Sequence, residues 1–211
     1  MSAQLLSGKG LSVQFGPVAA LRGVTVEVRA GHMLCVTGPS GAGKTTLLHV
    51  LAGIQEPTDG YVMVDGSPLQ PAAPVSFVPQ TYGLSPVLTA LESVALPMQV
   101  GRVPRAEVEQ RASAALTSVG LGRFATRLTN ALSGGQQQRV AVARALALDA
   151  PVVVADEPTS ELDADNRALV LSLLREMANR GRIVVLASDD ELVAAQCDES
   201  VALEDGEVVP V

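Results

Sequence analysis

Residues 38–45 read GPSGAGKT, and this stretch decides the fold. It matches the phosphate-loop pattern G-x-x-x-x-G-K-[ST], in which glycines let backbone N–H groups converge on a phosphate. The apolar segment from His32 to Thr37 precedes it as a predicted strand, and the segment from Lys44 to Ala52 follows it as a predicted helix. Because the pattern requires this strand–turn–helix context, the sequence predicts a nucleoside triphosphate site.

The loop residues are predicted to share one ligand, the nucleoside triphosphate. Lys44 is expected to reach the β- and γ-phosphates, and the Thr45 hydroxyl is expected to ligate Mg²⁺. The alternative is a glycine-rich turn with a chance lysine, which the flanking strand and helix disfavour. The predicted nucleotide contacts are Gly38, Pro39, Ser40, Gly41, Ala42, Gly43, Lys44, Thr45 and Thr46.

A second strand ends in two carboxylates. Residues 151–157 read PVVVADE, an apolar run that delivers Asp156 and Glu157 at its carboxyl end, where open α/β sheets bind ligands. Asp156 suits the Mg²⁺ shell, and Glu157 suits a base that deprotonates an attacking water. A strand end with solvated acids is the alternative, and the phosphate loop elsewhere in the chain makes it the weaker one.

Strands and helices alternate along much of the chain. Strands are predicted at Pro151 to Ala155 and Ile183 to Ala187, with a helix between them from Asp163 to Asn179. Such alternation predicts a parallel sheet. Further short strands are predicted near 10–15, 24–29, 60–65 and 74–79, and the segment from about Leu88 to Leu148 is mostly helical.

Composition sets the kind of core and excludes one class of partner. Hydrophobic residues make up 47% of the 211 residues but aromatic ones only 2%, so the core must be aliphatic. The net charge of −7 predicts no nucleic acid partner, because phosphate backbones attract basic surfaces. The absence of an export leader and of apolar runs near ~20 residues, with two cysteines lacking metal-ligand spacing, predicts a cytoplasmic protein.

A third motif, LSGGQ at residues 132–136, lies between the first two. By itself it is an ordinary helix start with Ser133 as N-cap, but a capped helix start with free N–H groups is also an anion site. With the motifs in this order, the chain resembles the nucleotide-binding subunits of ABC transporters over essentially its whole length.

The resemblance implies a fold, a division of the chain and an assembly. The fold is α/β, a P-loop NTPase core with a mainly parallel sheet, an N-terminal antiparallel β-subdomain and an inserted α-helical subdomain. Residues 1–211 form a single ATPase domain, with 1–80 and 150–211 as the nucleotide-binding core and 81–149 as the helical subdomain. Two subunits, as a homodimer or a heterodimer, sandwich ATP head to tail. The signature residues of one subunit then bind the γ-phosphate held by the other, and these are Ser133, Gly134, Gly135 and Gln136.

Three more positions take roles from the resemblance. Phe15 stands where the family usually has a tyrosine that stacks on adenine, although it could equally belong to the core. Gln80 matches a glutamine hinge that senses the γ-phosphate and Mg²⁺, and its alternative is a polar loop residue. Asp163, in the stretch from Ser160, matches a loop that crosses to the opposite site and is also a plausible helix N-cap.

One expected residue is missing. In the family, the strand predicted at Ile183 to Ala187 precedes a histidine that hydrogen-bonds the γ-phosphate, and Ser188 occupies that position. The only histidines of the chain, His32 and His49, lie far upstream. Serine offers one short donor and cannot become a cation, and one lost donor costs on the order of 10²- to 10³-fold in rate.

Three hypotheses follow from Ser188. The site hydrolyses ATP slowly, or it is weak while the signature completes a partner's site, or ATP works mainly as a dimerising clamp. Because Lys44, Asp156 and Glu157 are all present, a slow ATPase is the favoured one.

The resemblance implies a transmembrane permease as the partner, which would hold the protein at the inner face of the cell membrane. Leu84, Val87, Leu88 and Leu91 are candidates for an apolar contact surface, although each could simply pack the helical subdomain. The wording LTALESVALP at residues 88–97 looks like the branch that serves lipoprotein-release, macrolide-export and cell-division permeases. The alternative function is a soluble ABC ATPase that acts as a nucleotide-switched interaction module without transport.

Overall fold

The structure, a computed structural model, describes residues 3–69, 75–101 and 103–210. These residues divide into two compact units. The first unit draws on 1–77, 151–157 and 174–211, and the second on 78–150 and 158–173. Nearly all the strand residues fall in the first unit, so the two units differ in kind.

The N-terminal strands of the first unit form an antiparallel sheet. Strand β1 (Leu5–Phe15) pairs with β2 (Val18–Arg29) and with β4 (Asp59–Val64), and β4 pairs with β5 (Ser67–Pro68). The order is β2-β1-β4-β5. Buried and exposed residues alternate along much of β2, which is typical of a strand with one covered face.

The second sheet has the order β10-β9-β3-β8-β7-β6. Strand β3 runs parallel to β8 and β9, β7 runs parallel to β8, and β9 forms an antiparallel hairpin with β10. Every residue of β7 and β8 is buried, as expected for parallel strands covered on both faces. The strands are β3 (Met33–Thr37), β6 (Val75–Val78), β7 (Val152–Asp156), β8 (Ile183–Ala187), β9 (Glu199–Glu204) and β10 (Glu207–Val209).

Helix α1 (Lys44–Leu51) packs against β7 and β8. Its buried leucines join the aliphatic core of the first unit, together with valines of the parallel strands. Since β3, β7 and β8 are parallel, their carboxyl ends meet at one edge of the sheet. The residues that follow these three strands are therefore neighbours, although they are far apart in sequence.

Helices make up most of the second unit. Helices α2 (Ala90–Val100), α3 (Arg105–Ser118) and α4 (Gly134–Leu148) pack against one another around buried aliphatic side chains. Thr89 and Glu92 form a capping box that begins α2. Helix α5 (Ala164–Asn179) begins in the second unit and ends in the first, and a short α6 (Glu191–Ala194) belongs to the first. Within the described ranges no helix is both long enough and apolar enough to cross a bilayer.

The predicted fold class is confirmed, since the chain is α/β with an antiparallel N-terminal sheet, a mostly parallel second sheet and a helical unit. Two strands are longer than predicted, because β1 begins at Leu5 and β2 begins at Val18, directly after a tight turn. The strand predicted near 74–79 is observed at Val75–Val78, and position 74 lies outside the described residues. The assignment of 81–149 as a functional subdomain stays a prediction.

Candidate functional site

The phosphate loop joins the carboxyl end of β3 to the start of α1. Gly38 has a φ of 137°, and a Cβ atom there would lie 2.1 Å from the Leu203 carbonyl oxygen. Gly43 has a φ of 103°, and a Cβ atom there would lie 2.5 Å from the Ala20 carbonyl oxygen. Only glycine fits these two positions. The conformation of the phosphate loop therefore depends on both glycines.

The loop holds a cation beside the positive end of a helix. Lys44 is the first residue of α1, and its Nζ donates to the carbonyl oxygens of Gly38 at 2.7 Å and Pro39 at 3.3 Å. Pro39, Ser40 and Gly41 are exposed, so a ligand can reach the loop. The ammonium, the loop amides and the α1 dipole together suit a polyphosphate.

Thr45 and Asp156 form the part of the site that fits a metal ion. The Thr45 Oγ1 donates a hydrogen bond of 2.7 Å to Asp156 Oδ2. Asp156 is 2% exposed, and its Oδ1 is buried without a hydrogen-bond partner among the described residues. A buried carboxylate oxygen without a donor is unfavourable, and oxygen ligands are those that Mg²⁺ prefers. Thr45 and Asp156 therefore fit a magnesium ion that accompanies a nucleotide.

Glu157 directly follows β7 in a constrained position. It is 9% exposed, has a φ of 48°, and donates its N–H to the Ala187 carbonyl oxygen at 3.2 Å. Burial raises the pKa of Glu157 to about 7. The negative charges of Asp189 and Asp156 add to this rise, whereas the Lys44 ammonium opposes it. A carboxyl group whose pKa lies near neutrality is well matched to proton transfer from water.

Ser188 follows β8 and lies beside Glu157. Asp156 and Ala187 are register partners in adjacent parallel strands, so the next residue of each strand is also a neighbour of the other. Ser188 is 2% exposed, and its hydroxyl accepts a hydrogen bond of 3.2 Å from the Asp190 N–H. The serine is thus at the edge of the sheet where the missing histidine was expected, and its chemical role stays a prediction.

Neither histidine of the chain takes the place of Ser188. His32 precedes β3, at the end of the strand opposite the phosphate loop, and its Nδ1 lies 2.9 Å from Glu199 Oε1. His49 lies within α1, and its ring meets the Phe77 ring edge-on with centroids 5.2 Å apart. The fold therefore provides no imidazole at the carboxyl ends of β3, β7 and β8.

The signature motif forms the start of α4 in the second unit. The Ser133 hydroxyl accepts from the Gln136 N–H at 3.4 Å, and Gln136 Oε1 accepts from the Ser133 N–H at 3.1 Å. This reciprocal capping box fixes the first turn. The amides of Gly134 and Gly135 lie at the positive end of a 15-residue helix, which favours an anion.

Three other residues with predicted roles lie at the ends of elements. Phe15 is the last residue of β1 and is 52% exposed, so it does not belong to the core. Gln80 is exposed in the turn after β6. Asp163 caps α5 by accepting from the Asn166 N–H at 2.9 Å, and these hydrogen bonds lower the pKa of Asp163. Adenine stacking, metal sensing and contact with an opposite site stay predictions for these residues.

The predicted residues fall into two groups. In the first unit the structure brings together the loop, Asp156, Glu157 and Ser188, whereas Gln80, the signature and the loop before Asp163 belong to the second. Sequence reasoning missed Asp189, whose N–H donates to the Glu157 carboxylate while its own charge raises the pKa of Glu157. An acid after a strand end is too common to signal such a contact.

Comparison with known proteins gives one consistent result. The protein-family model described as ABC transporter matches residues 21–160. An uncharacterized ABC transporter ATP-binding protein of Thermotoga maritima is 41% identical over an alignment of 201 residues that covers 90% of this chain and 86% of that protein. The lipoprotein-releasing system ATP-binding protein LolD of Bacteroides fragilis is 35% identical, covering 95% of this chain and 98% of that protein.

Solved structures agree with these relatives. A bacterial ABC transporter cassette solved as a dimer matches with a TM-score of 0.91 and 35% identity, over 97% of each chain. The same cassette in a dimeric post-hydrolysis state, bound to ADP and phosphate, matches with the same TM-score of 0.91. The names of these proteins describe transporter components, which does not support the alternative of an ATPase acting without transport.

Proposed function

The chain belongs to the ABC transporter family and is an ABC-type ATPase, and on that premise we propose how it uses ATP. Two subunits close head to tail around ATP, either two copies of this chain or one copy with a different ATPase subunit. The segment from Gly38 to Thr46 of one subunit holds the nucleotide, and the segment from Ser133 to Gln136 of the other closes on its γ-phosphate.

One observation carries this proposal. Thr45 and Asp156 are joined by a hydrogen bond of 2.7 Å, yet Asp156 Oδ1 is left buried without a donor among the described residues. A buried carboxylate oxygen that lacks a hydrogen-bond donor, at the foot of a phosphate loop, suits a nucleotide bound with Mg²⁺. Thr45, Asp156 and Gln80 would hold the ion, which when bound neutralises charge on the β- and γ-phosphate oxygens.

The chain's own residues then account for hydrolysis. Glu157 takes a proton from a water molecule as the water oxygen bonds to the γ-phosphorus. The bond from that phosphorus to the oxygen bridging to the β-phosphate breaks, and ADP and phosphate are released. Lys44 and the loop amides stabilise the charge that develops on the phosphate oxygens, while the exposed Phe15 ring stacks on the adenine.

Ser188 slows this reaction in our proposal. A histidine at this position would reach the γ-phosphate with a long side chain that can carry charge, whereas the Ser188 hydroxyl is short and already accepts from the Asp190 N–H. A missing donor to developing charge costs on the order of 10²- to 10³-fold in turnover. ATP therefore holds the dimer closed for long periods between hydrolysis events.

The second unit offers a surface for a transmembrane permease. A groove of about 520 Å³ lies between α2 and α3, and both charges and apolar side chains line it. The lining residues include Leu88, Leu91, Ala95, Leu96 and Val108, with Glu92, Arg105 and Glu109 at polar positions. Leu96 is 46% exposed, and Val87 and Val100 nearby are more exposed still. An amphipathic cytoplasmic helix of the permease fits such a groove, and its binding would hold the chain at the inner face of the cell membrane.

The nucleotide part of the proposal is tested by ATP-dependent dimerisation. Glu157→Gln should slow hydrolysis and trap a dimer with ATP and Mg²⁺ but not with ADP, as measured by size-exclusion chromatography with light scattering. Glu204→Gln, an exposed site in β9, removes the same charge and should leave the protein like the wild type. A Glu157→Gln protein that stays monomeric with ATP, with and without its companion ATPase subunit, contradicts the proposal.

The permease part is tested separately. Leu96→Asp places a charge in the groove and should weaken co-purification with a co-expressed permease subunit, while ATP-dependent dimerisation continues. Val208→Asp is a matched control, because Val208 is 45% exposed in β10 and lies outside the groove. Equal retention of the permease by both variants would show that this groove is not the contact surface.

A further inference from the structure

An arginine of α4 binds the turn that carries Gln80. Arg144 Nη1 donates to the Gly83 carbonyl oxygen at 2.7 Å, and Nη2 donates to the Tyr82 carbonyl oxygen at 3.1 Å. Burial lowers the pKa of the Arg144 guanidinium from its ordinary value, but arginine keeps its charge at neutral pH. Two charge-assisted hydrogen bonds therefore join the signature helix to a turn about 60 residues away in sequence.

The turn is held in an unfavourable backbone conformation. Tyr82 has a φ of 62° and Gly83 a φ of 58°. A non-glycine residue in this region is strained unless its surroundings compensate. The Arg144 guanidinium supplies that compensation, because it binds the carbonyl groups of both residues.

The Tyr82 side chain lies against the first residue of the signature helix. A Cβ atom on Gly134 would be 3.0 Å from the Tyr82 hydroxyl oxygen and 3.6 Å from Glu161 Oε2. A Cβ atom on Gly135 would be 3.0 Å from the Glu161 carbonyl oxygen. Both glycines of the motif are thus closely packed, Gly134 against the Tyr82 hydroxyl and Gly135 against the Glu161 backbone, and a methyl group at either would crowd its neighbour.

We infer that Tyr82 and Arg144 are positioning residues that keep the glutamine turn and the start of the signature helix in one fixed arrangement. The inference rests on the proposed function, since the two residues would act on how ATP is held between two subunits. The amides of Gly134 and Gly135 must face the γ-phosphate of the opposite subunit at the same time as Gln80 serves its own site. Tyr82 and Arg144 together form a clamp within the second unit. One movement of this clamp changes the position of Gln80 and the position of the Gly134 and Gly135 amides together.

If Tyr82 and Arg144 act in this way, ATP binding by the monomer and ATP-dependent dimerisation should respond differently to removal of the clamp. ATP binding by the monomer in the absence of Mg²⁺ depends on the phosphate loop of the first unit and should not change when the clamp is removed. ATP-dependent dimerisation depends on the signature helix and should weaken. General destabilisation would lower both, so the ratio between them distinguishes positioning from folding.

The arginine has a matched control on the same unit. Arg111 Nη2 donates to the carbonyl oxygens of Ala147 at 2.6 Å and Leu148 at 3.2 Å, so it too joins a guanidinium to backbone carbonyls in this unit. In a Glu157→Gln parent, Arg144→Met should raise the ATP concentration for half-maximal dimerisation about 10-fold or more, the equivalent of ~1.4 kcal/mol. Arg111→Met should lower the melting temperature comparably without that rise.

The tyrosine is tested by rescue. Gly134→Ala puts a methyl group against the Tyr82 hydroxyl and should impair dimerisation. Adding Tyr82→Phe removes the oxygen and should recover much of the loss, since the ring carbon Cζ is 4.0 Å from the new Cβ. Tyr61→Phe is the control, because Tyr61 is 51% exposed in β4 and should rescue nothing.

The outcomes separate the possibilities. Arg144→Met protein that dimerises like its parent, or Arg111→Met protein that is impaired equally, overturns the inference. If Arg144→Met does not fold, the Gly134→Ala and Tyr82→Phe pair decides, and absence of rescue overturns it. A Glu157→Gln parent that never dimerises contradicts the proposed function itself, which is a different failure.

Discussion

The two units of this chain hold their candidate phosphate-binding groups in different ways. In the first unit the chemical groups follow strand ends, where parallel β3, β7 and β8 bring the phosphate loop, Asp156, Glu157 and Ser188 to one edge. In the second unit the candidate groups lie at the start of a helix and in a turn. Hydrogen bonds between side chains and the backbone hold them: Ser133 caps the start of α4, and Arg144 binds the turn after Gln80.

This difference between strand ends and turn ends explains which parts of the candidate site a single substitution can displace. A strand end is fixed by a ladder of backbone hydrogen bonds that does not depend on any one side chain. The turn after Gln80 and the start of α4 depend on a few side chains, so a single substitution can move them. We therefore expect variants of the first unit to change ATP binding or chemistry, and variants of the second unit to change association.

Mixing two inactive variants should show the largest effect. Lys44→Ala removes the cation of the phosphate loop, and Gly134→Asp puts a charge and a side chain at the signature helix start, so each should be inactive alone. In a head-to-tail pair, one complete site forms from the intact loop of one variant and the intact signature of the other. ATPase activity that stays absent after mixing would argue against sites shared between two copies of this chain.

Glu157→Gln should reduce turnover on the order of 10²- to 10⁴-fold, the usual range for a general base. ATP binding by the monomer should remain, because the amide keeps the shape of the side chain while losing the ability to take a proton. Steady-state phosphate release and nucleotide titration measure the two properties. Normal turnover would show that another group accepts the proton from water.

Ser188→His should raise turnover, by about 10-fold or more, since it restores a donor to the developing charge. The loop, Asp156 and Glu157 remain as they are, so the gain should appear in kcat and not in monomer affinity for ATP. Ser188→Ala serves as the control for loss of the hydroxyl alone. A histidine variant no faster than the wild type would mean that serine is not what limits the rate.

The smallest effect should be on stability in the absence of nucleotide. The pKa of Glu157 is raised from 4.5 to about 7, so its carboxyl group is uncharged in the folded protein over a range where the unfolded chain has it charged. Stability from this group is complete below pH 4.5 and is lost as the pH rises through 7.

Glu157→Gln should therefore stabilise the nucleotide-free protein at pH 8 by on the order of 1–3 kcal/mol relative to the wild type, and have little effect at pH 4.5. Urea unfolding at the two pH values, with a chelator present, measures the difference. An equal effect at both pH values would show that burial of charge is not the cause.

Much of the first unit's site was predictable because its motifs are continuous in sequence. The loop 38–45 and the strand 151–157 each place an apolar run directly before the polar residues, and the strand edge follows from parallel pairing. The strained φ of Glu157 and the contact with Asp189 were not predictable, since they arise where separate strand ends meet.

The second unit was less predictable for a physical reason. The capping of α4 by Ser133 and Gln136 is local, and spacing alone indicates it. The bonds from Arg144 to the turn at Tyr82 and the closeness of Tyr82 to Gly134 join segments that no local pattern relates. Periodicity reveals which face of a helix is buried, but it does not reveal which distant turn that face meets.

By itself, the sequence determined the class of fold, the family, the nucleotide and the absence of a histidine after β8, because each depends on residue types at fixed local spacing. Tertiary structure alone decided that one oxygen of Asp156 has no donor among the residues that the structure describes, that burial raises the pKa of Glu157, and that Arg144 donates to the backbone of the turn after Gln80. The reason is that burial, electrostatic interaction and hydrogen bonding depend on distances between segments, and only the folded chain sets those distances.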